Sequence, residues 1–408
     1  MKKIKNPNRR SFLTGSAAIA GVAAISSISN FNIAKADHTS ATPKATPEYI
    51  KWKNRNALII HSEGTIETHR DMIGNGIITP IENVYIRNNV NSLNDQQIGS
   101  RPDWKLEVQG VQKPRTFTLA ELQKMPLKIT PMVLQCSGNG RKFFAHGPSG
   151  TKWDTGSAAC VTFSGVSVKY LSELCGGLVA GAKFITGTGA DAPKEIDPKE
   201  GAVERSVPIS TYENCLLAWE INGVSIPNAH GGPLRLVVPG YYGTYWVKHL
   251  SEIKVVNDVY NGYWMNPAYR IPDNDCNCVE PGTAPSKTIP INQFTIRSFI
   301  TNFTDNSIVN VGKPTQARGI AFDAGYGIKK VLFSQDNGQN WIEARLGQDL
   351  GRFSFREWRV EFTPKQKGTL DLRVRAFNHA GQVQPMTASW MPAGYMRNVV
   401  ETVKVTAV

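Results

Sequence analysis

Three short stretches gather side chains able to do chemistry. Leu134-Gln135-Cys136-Ser137-Gly138-Asn139-Gly140-Arg141 sets one thiol among small residues, with a guanidinium five positions on. A cysteine thiolate ligates soft metals, and small neighbours let a bulky group approach the backbone. The plainer alternative is a buried structural cysteine at a strand end. His230, Arg235 and Lys248 lie within nineteen residues, around Gly231-Gly232-Pro233 and Gly240. Val84-Tyr85-Ile86-Arg87-Asn88-Asn89 adds a phenol, a guanidinium and two amides. Taken singly, His230 also reads as a satisfied turn histidine and Arg235 as a strand-edge arginine.

The elements that position these residues are short. Lys105 to Gln109 alternates and stops at Gly110, as a strand ending in a turn does. Thr118 to Met125 has helical spacing, with Thr118 as N-cap and Pro126 as terminator. Val168 to Cys175 reads as a second short helix closed by Gly176-Gly177. Leu234 to Val238 is a buried-type strand ending at Pro239-Gly240. Residues 57–260 therefore mix strands and short helices, an α+β pattern. Residues 261–290 are rich in Asn, Asp, Pro and Cys and suit a linker. From about Thr295 the pattern is all β: Ile328 to Ser334, a turn at Asn337-Gly338, and Leu370 to Ala376. Short strands at regular spacing suit an immunoglobulin-like sandwich.

Several of these segments, in this order, resemble the sulfite oxidase family of molybdenum–molybdopterin oxidoreductases. The resemblance rests on the Cys136 stretch, on Arg205-Ser206-Val207-Pro208, and on His230 to Gly240 followed by Gly243 and Trp246-Val247-Lys248. It continues in Gly325-Tyr326-Gly327-Ile328, Ser334 to Trp341, and Arg375 to Asn378 through Gln384-Pro385. It runs from about Ile78 to the C-terminus. Within that family it resembles the bacterial periplasmic sulfite dehydrogenases and sulfane dehydrogenase-like catalytic subunits. The implied fold is an α+β molybdopterin-binding domain over 78–275, then an all-β immunoglobulin-like dimerisation domain over 276–408.

The resemblance implies a molybdenum–molybdopterin cofactor, with Cys136 as the metal's thiolate ligand. It implies cofactor contacts from Tyr85, Arg87, Asn89, Asp191, His230, Arg235, Trp246, Val247 and Lys248. Asn89 stands where the family usually has histidine. The resemblance places Arg87, Arg141 and Trp153 around the substrate. It implies a further pocket arginine from the later domain, for which Arg352 and Arg356 are candidates. One position departs from the pattern: Val203 stands where a pocket tyrosine is usual, three residues before Ser206. Valine offers no proton and no hydrogen bond. Tyr241, Tyr242 or Tyr245 can supply a donor in its place.

The implied activity is sulfite oxidation, with electrons leaving one at a time to a c-type cytochrome. Sulfane dehydrogenase-like chemistry on protein-bound sulfur is the alternative, favoured by Val203 and by Gly76-Ile77-Ile78-Thr79-Pro80. An exported, non-enzymatic binding protein is the alternative of another class, and it predicts an inert or disulfide-bonded Cys136. No C-x-x-C-H occurs, so no c-type haem is expected in this chain.

Asn8-Arg9-Arg10-Ser11-Phe12-Leu13, a small apolar stretch to Ile28 and Ala34-Lys35-Ala36 read as a twin-arginine signal over 1–36, hence a periplasmic location. Residues 37–77 are expected as an extended arm. The mature chain is expected to lack a membrane span. Hydrophobic residues make up 41% and charged residues 19%, which excludes a disordered chain. Of the +13 formal charge, six positive and no negative charges lie in residues 1–36, leaving +7 for the rest. No long basic run follows residue 37, which argues against nucleic acid. The excess suits an anionic substrate or an acidic docking partner, and a homodimer is compatible with it. Six cysteines allow several disulfide pairings.

Overall fold

The computed structural model describes residues 44–191 and 201–408. The signal expected over 1–36 lies outside the described residues.

Strand Lys128–Gln135 carries the chain into the Cys136 turn. It pairs antiparallel with Ala158–Ser167, which pairs with Leu216–Ile221. Arg235–Val237 and Val224–Ser225 also pair with Leu216–Ile221 and complete a five-stranded sheet. Most residues of Ala158–Ser167 are buried, so both faces of this strand are covered. Gly165 is needed at its crossing with Leu216–Ile221. A Cβ there would stand 2.0 Å from the Leu217 carbonyl oxygen.

A second five-stranded sheet runs in the order Arg115–Thr118, Lys105–Gln109, Leu250–Val256, Phe184–Gly189, Glu204–Pro208. Lys105–Gln109 and Leu250–Val256 are parallel neighbours, and the other pairs are antiparallel. The helix Leu119–Leu122 is capped by Thr118, with Glu121 closing a capping box. The helix Val168–Leu174 takes Ser167 as its cap.

Residues 44–77, expected as an extended arm, instead fold onto the body. Leu58–Ser62 and Thr65–Thr68 form a hairpin extended by Ile86–Arg87. The cause is apolar: Ile50, Ala57, Leu58 and Ile66 form a small core with Ile86 and Ala229.

The C-terminal region consists of two sheets sharing one core. Arg297–Ile300, Thr315–Phe322, Arg356–Phe362 and Arg345–Leu346 form one. Ile308–Val309, Thr402–Ala407, Gly368–Asn378, Ile328–Ser334 and Ile342–Glu343 form the other. Ala317, Val331, Phe333, Trp358, Leu372 and Val374 fill the space between them. Asn337 and Gly338 both take positive φ in the loop that joins Ile328–Ser334 to Ile342–Glu343. The first sheet is covered on its other face too. Phe299, Ile320 and Phe322 belong to the large core that contains Val133, Leu134 and Cys136. Alternation along Thr315–Phe322 thus sends Ala321 inward and Ile320 toward the N-terminal sheets. Among the described residues no helix is long and apolar enough to cross a membrane.

Candidate active site

Cys136 sits one residue past its strand, where the chain turns from paired to free. Its N–H donates to the Ser157 carbonyl and its own carbonyl accepts from Asn139 N–H. Gly140, at positive φ, redirects the chain into the turn Arg141–Phe143. The thiol is free and lines a cleft of about 750 Å³, part of it open to solvent. Cys160 and Cys215 are also free, but burial pushes both thiols up to about 12 and neither lines this cleft. Cys276 and Cys278 form a disulfide with each other.

The cleft gathers Tyr85, Arg87, Asn89, Cys136, Asp191, Val203, His230, Arg235, Trp246, Val247 and Lys248. These come from five separate stretches of chain. Arg235 is 3% exposed; its Nη1 donates to the His230 carbonyl at 2.9 Å and its Nε to the Trp246 carbonyl. Burial lowers it to about 10. Lys248 reaches the Ala229 carbonyl at 2.7 Å and the Asn88 side chain. Its ammonium is pushed well below the usual lysine range by burial and by Arg235. Gly231 makes room for it: a Cβ there would stand 2.5 Å from Lys248 Cγ. Burial and the cation Lys53 push His230 well down, so its imidazole is neutral. Asp191 is raised to about 6 by burial.

Among the described residues lining the cleft, Asp191 is the one carboxylate, against Arg87, Arg235 and Lys248. Buried cations without counter-charges are costly. An anionic ligand would offset that cost. Thr244 Oγ1, in the lining, and Ser137 Oγ and Asn139 Oδ1, in the turn after Cys136, are buried without a hydrogen-bond partner. Among the described residues no group of three or more His, Cys, Asp or Glu side chains could hold a bare metal ion. One thiol plus a phosphate-type cradle fits a metal carried on an anionic organic cofactor.

Asn89 does not reach toward the cations. It exchanges hydrogen bonds with the Tyr269 hydroxyl, at 2.9 and 3.2 Å, and so fixes that phenol at the cleft wall. Trp153 is fully buried behind the cleft, edge-on to Tyr85 at 6.1 Å. Arg141 also lies behind the wall. It donates to the Thr151 and Ala393 carbonyls and sits 5.1 Å from the Tyr395 ring. Neither candidate for a later-domain arginine reaches the cleft. Arg352 donates to Asn214, and Arg356 pairs with Asp349 at 3.2 Å. Tyr241, Tyr242 and Tyr245 do not line the cleft either; Tyr245 donates to the Ile291 carbonyl. The phenols at the cleft are Tyr85 and Tyr269.

Two residues escaped the sequence reading. Lys53, 5% exposed, lies 3.2 Å from His230 Nε2 and donates to the Ile81 carbonyl at 2.7 Å. It comes from the segment read as an arm, and only the apolar spacing of Ile50, Ala57 and Leu58 signalled that this segment packs. His249 lines the cleft, and its ring is held between Gly232 O at 2.6 Å and Leu93 N at 3.3 Å.

Two families match the chain. The oxidoreductase molybdopterin-binding domain spans residues 94–264, and the Mo-co oxidoreductase dimerisation domain spans 288–408. The mouse mitochondrial sulfite oxidase is 28% identical over 91% of this chain and 70% of its own length. The sulfite oxidase of Arabidopsis thaliana is 28% identical over 67% of this chain and 74% of its own. A nitrate reductase of Phaseolus vulgaris is 25% identical over 85% of this chain, which spans only 42% of that longer protein. Among solved structures, the sulfane dehydrogenase SoxCD of Paracoccus pantotrophus shares the fold, with a TM-score of 0.70 at 21% identity, covering 90% of this chain and 92% of its own.

Fold and matched domains together define a molybdopterin-dependent oxidoreductase with a dimerisation domain. The chain belongs to the sulfite oxidase family of these enzymes.

Proposed function

We propose that this protein is a periplasmic enzyme that oxidises sulfite to sulfate and passes the electrons to a separate c-type cytochrome. The observation that carries the reading is the free Cys136 thiol in a cleft walled by Arg87, Arg235 and Lys248, with Asp191 as the one lining carboxylate among the described residues. Molybdenum bound through molybdopterin supplies two-electron oxidation with oxygen transfer. Cys136 holds the metal. His230, Arg235 and Lys248 bind the phosphate tail; Tyr85, Asn89, Asp191, Trp246 and Val247 surround the pterin. Arg87, with Arg141 and Trp153 behind the wall, sets the charge and shape of the substrate end. Guanidinium groups suit a sulfur oxyanion because they offer paired N–H donors and a fixed positive charge.

Val203 favours a second reading. It lines the cleft with an isopropyl group and donates nothing. A site without that donor suits protein-bound sulfane sulfur, whose reacting atoms need fewer hydrogen bonds than three sulfite oxygens.

One preparation separates the readings. The mature protein is analysed for molybdenum and pterin, and its absorption spectrum is followed on adding sulfite. Stoichiometric cofactor with sulfite-driven reduction supports the first reading. Stoichiometric cofactor, no change with sulfite and reduction by a persulfidated carrier protein support the second. A folded protein that takes up no cofactor when expressed with it overturns both.

A further inference from the structure

Arg205 stands on the strand Glu204–Pro208, two residues after Val203. Extended backbone sends residues two apart to one face, so Arg205 points to the side on which Val203 lines the cleft, one layer behind the lining itself. Ser206 faces the other way, bonding Thr186 at 2.6 Å and Tyr260 N–H at 3.0 Å. The Arg205 side chain is 1% exposed. Its Nη1 donates to the Trp264 carbonyl, while its buried Nε and Nη2 have no hydrogen-bond partner. Unpaired guanidinium nitrogens in a protein interior cost several times what a satisfied bond contributes.

The surroundings point to what completes them. The guanidinium lies 4.2 Å from the Tyr245 ring and 5.1 Å from the Tyr269 ring. Tyr269 lines the cleft. The strongest electrostatic influences on Arg205, besides desolvation, are the phenols of Tyr245, Tyr269 and Tyr395, none of them a carboxylate. Tyr395 precedes Met396, whose N–H donates to the Ser137 carbonyl next to Cys136. Arg141 lies 5.1 Å from the Tyr395 ring. Tyr395 stacks on Tyr269 at 5.7 Å, so the two guanidinium groups stand against one stacked pair of phenols, Arg205 with two donors to spare.

We propose that Arg205 is a substrate-binding cation, its free Nε and Nη2 gripping a sulfur oxyanion together with Arg141 and the phenols of Tyr269 and Tyr395. It supplies, two residues further along the chain, the donors that Val203 lacks. This assignment rests on the oxyanion reading of the cleft. It also accounts for a buried arginine with no acidic partner among its strongest influences.

The test uses the cofactor-loaded full chain. Sulfate affinity is measured by calorimetry, and sulfite KM and kcat by steady-state turnover. In R205M, molybdenum and pterin content stay at the wild-type level. The sulfate Kd and the sulfite KM both rise about tenfold or more, the scale of one charge-assisted hydrogen bond. R205K recovers only part of the loss, because an ammonium cannot make the forked contact. A folded, loaded R205M with unchanged Kd and KM overturns the assignment and leaves Arg205 as packing between tyrosine rings. Should R205M not fold, R205K decides: a raised sulfate Kd supports the assignment and an unchanged one overturns it. A wild type that binds sulfate yet is not reduced by sulfite fails the sulfite reading alone, and the Kd of R205M still judges Arg205.

Discussion

At the residue scale, the site separates a thiol from a set of cations, and each can be tested alone. Cys136→Ser keeps the size of the side chain and the backbone bonds to Ser157 and Asn139. It replaces a soft ligand by a hard one. Turnover is expected to fall by about 100-fold or more, with pterin content retained, since the cradle of His230, Arg235 and Lys248 is untouched. Loss of the pterin along with the activity would show instead that Cys136 is needed for loading. Lys53 behaves differently. Burial lowers its ammonium to about 7, against 10.5 in the unfolded chain, and Glu82 opposes that shift. Between those values the unfolded chain binds the extra proton, so stability of the cofactor-free protein rises with pH from about 7 to 10.5. Below 7 the cost is fully present. Lys53→Met is therefore expected to stabilise the cofactor-free protein near pH 6 by about 2 kcal/mol, after loss of the bond to Ile81. It should flatten the pH slope of the melting temperature between 7 and 10. The same change should weaken pterin retention about tenfold, because a cation next to His230 is gone. Melting curves at several pH values, with pterin fluorescence after release, read both effects. A variant that lost stability and kept its pterin would show that Lys53 serves the fold rather than the ligand.

At the element scale, the Cys136 turn depends on how closely the strands Lys128–Gln135, Ala158–Ser167 and Leu216–Ile221 approach one another. Gly165 sits at the tightest point, where a Cβ would meet the Leu217 carbonyl oxygen at 2.0 Å. Gly165→Ala must push these two strands apart. The expected cost is about 3 kcal/mol, at the upper end for overpacking, measured by chemical denaturation. Wild-type stability would mean that the sheet yields at this crossing and does not hold the turn rigidly. The elements also show what was legible in advance. Thr118 as a cap, Gly110 after Lys105–Gln109, Gly176-Gly177 after the second helix and Asn337-Gly338 in its hairpin are local signals, and local signals survive folding. The cleft's Tyr85, Cys136, His230, Arg235 and Lys248 were visible because the family pattern keeps them in order. Lys53, His249 and Tyr269 were not, and Arg205 was legible only as part of a motif, without a role. Each owes its place to a contact between segments far apart in sequence, such as Lys53 with His230 or Asn89 with Tyr269. Hydrophobic periodicity does not encode such contacts. Arg352 and Arg356 failed as candidates for the same reason, since spacing says nothing about which end of a sandwich faces the cleft.

At the scale of the whole molecule, the C-terminal sheets act as a clamp on the thiol. Met396 N–H donates to the Ser137 carbonyl, and Arg297 Nη1 donates to the Asn139 carbonyl at 2.9 Å. Both carbonyls belong to the turn that presents Cys136. Arg297 is held in turn by Glu401 at 3.2 Å, which also meets Arg397 at 3.3 Å and approaches Arg70 at 4.0 Å. Arg70 leads back to Asp154 at 2.6 Å, next to Trp153. Burial alone would raise Asp154, but Arg70 and Lys142 outweigh it and hold the carboxyl at about 2. One ionic network therefore ties the C-terminal region to both flanks of the Cys136 turn. Glu401 is its only carboxylate from the C-terminal side named in these pairs, and its one negative charge is shared among three guanidinium groups. Glu401→Gln keeps the shape and removes the charge. Breaking one partner of a buried network leaves the others unpaired, a loss of about 3 kcal/mol. The functional consequence follows from the geometry. With Arg297 released, the Asn139 carbonyl loses its tether and the Cys136 turn can drift relative to the cations of the cleft. Glu401→Gln is therefore expected to lower kcat by about tenfold or more, with less effect on pterin content, although residue 401 lines no part of the cleft. Denaturation and turnover measured on the same preparation decide it. A loss of stability with kcat unchanged would mean that the clamp holds the domains together without aligning the thiol.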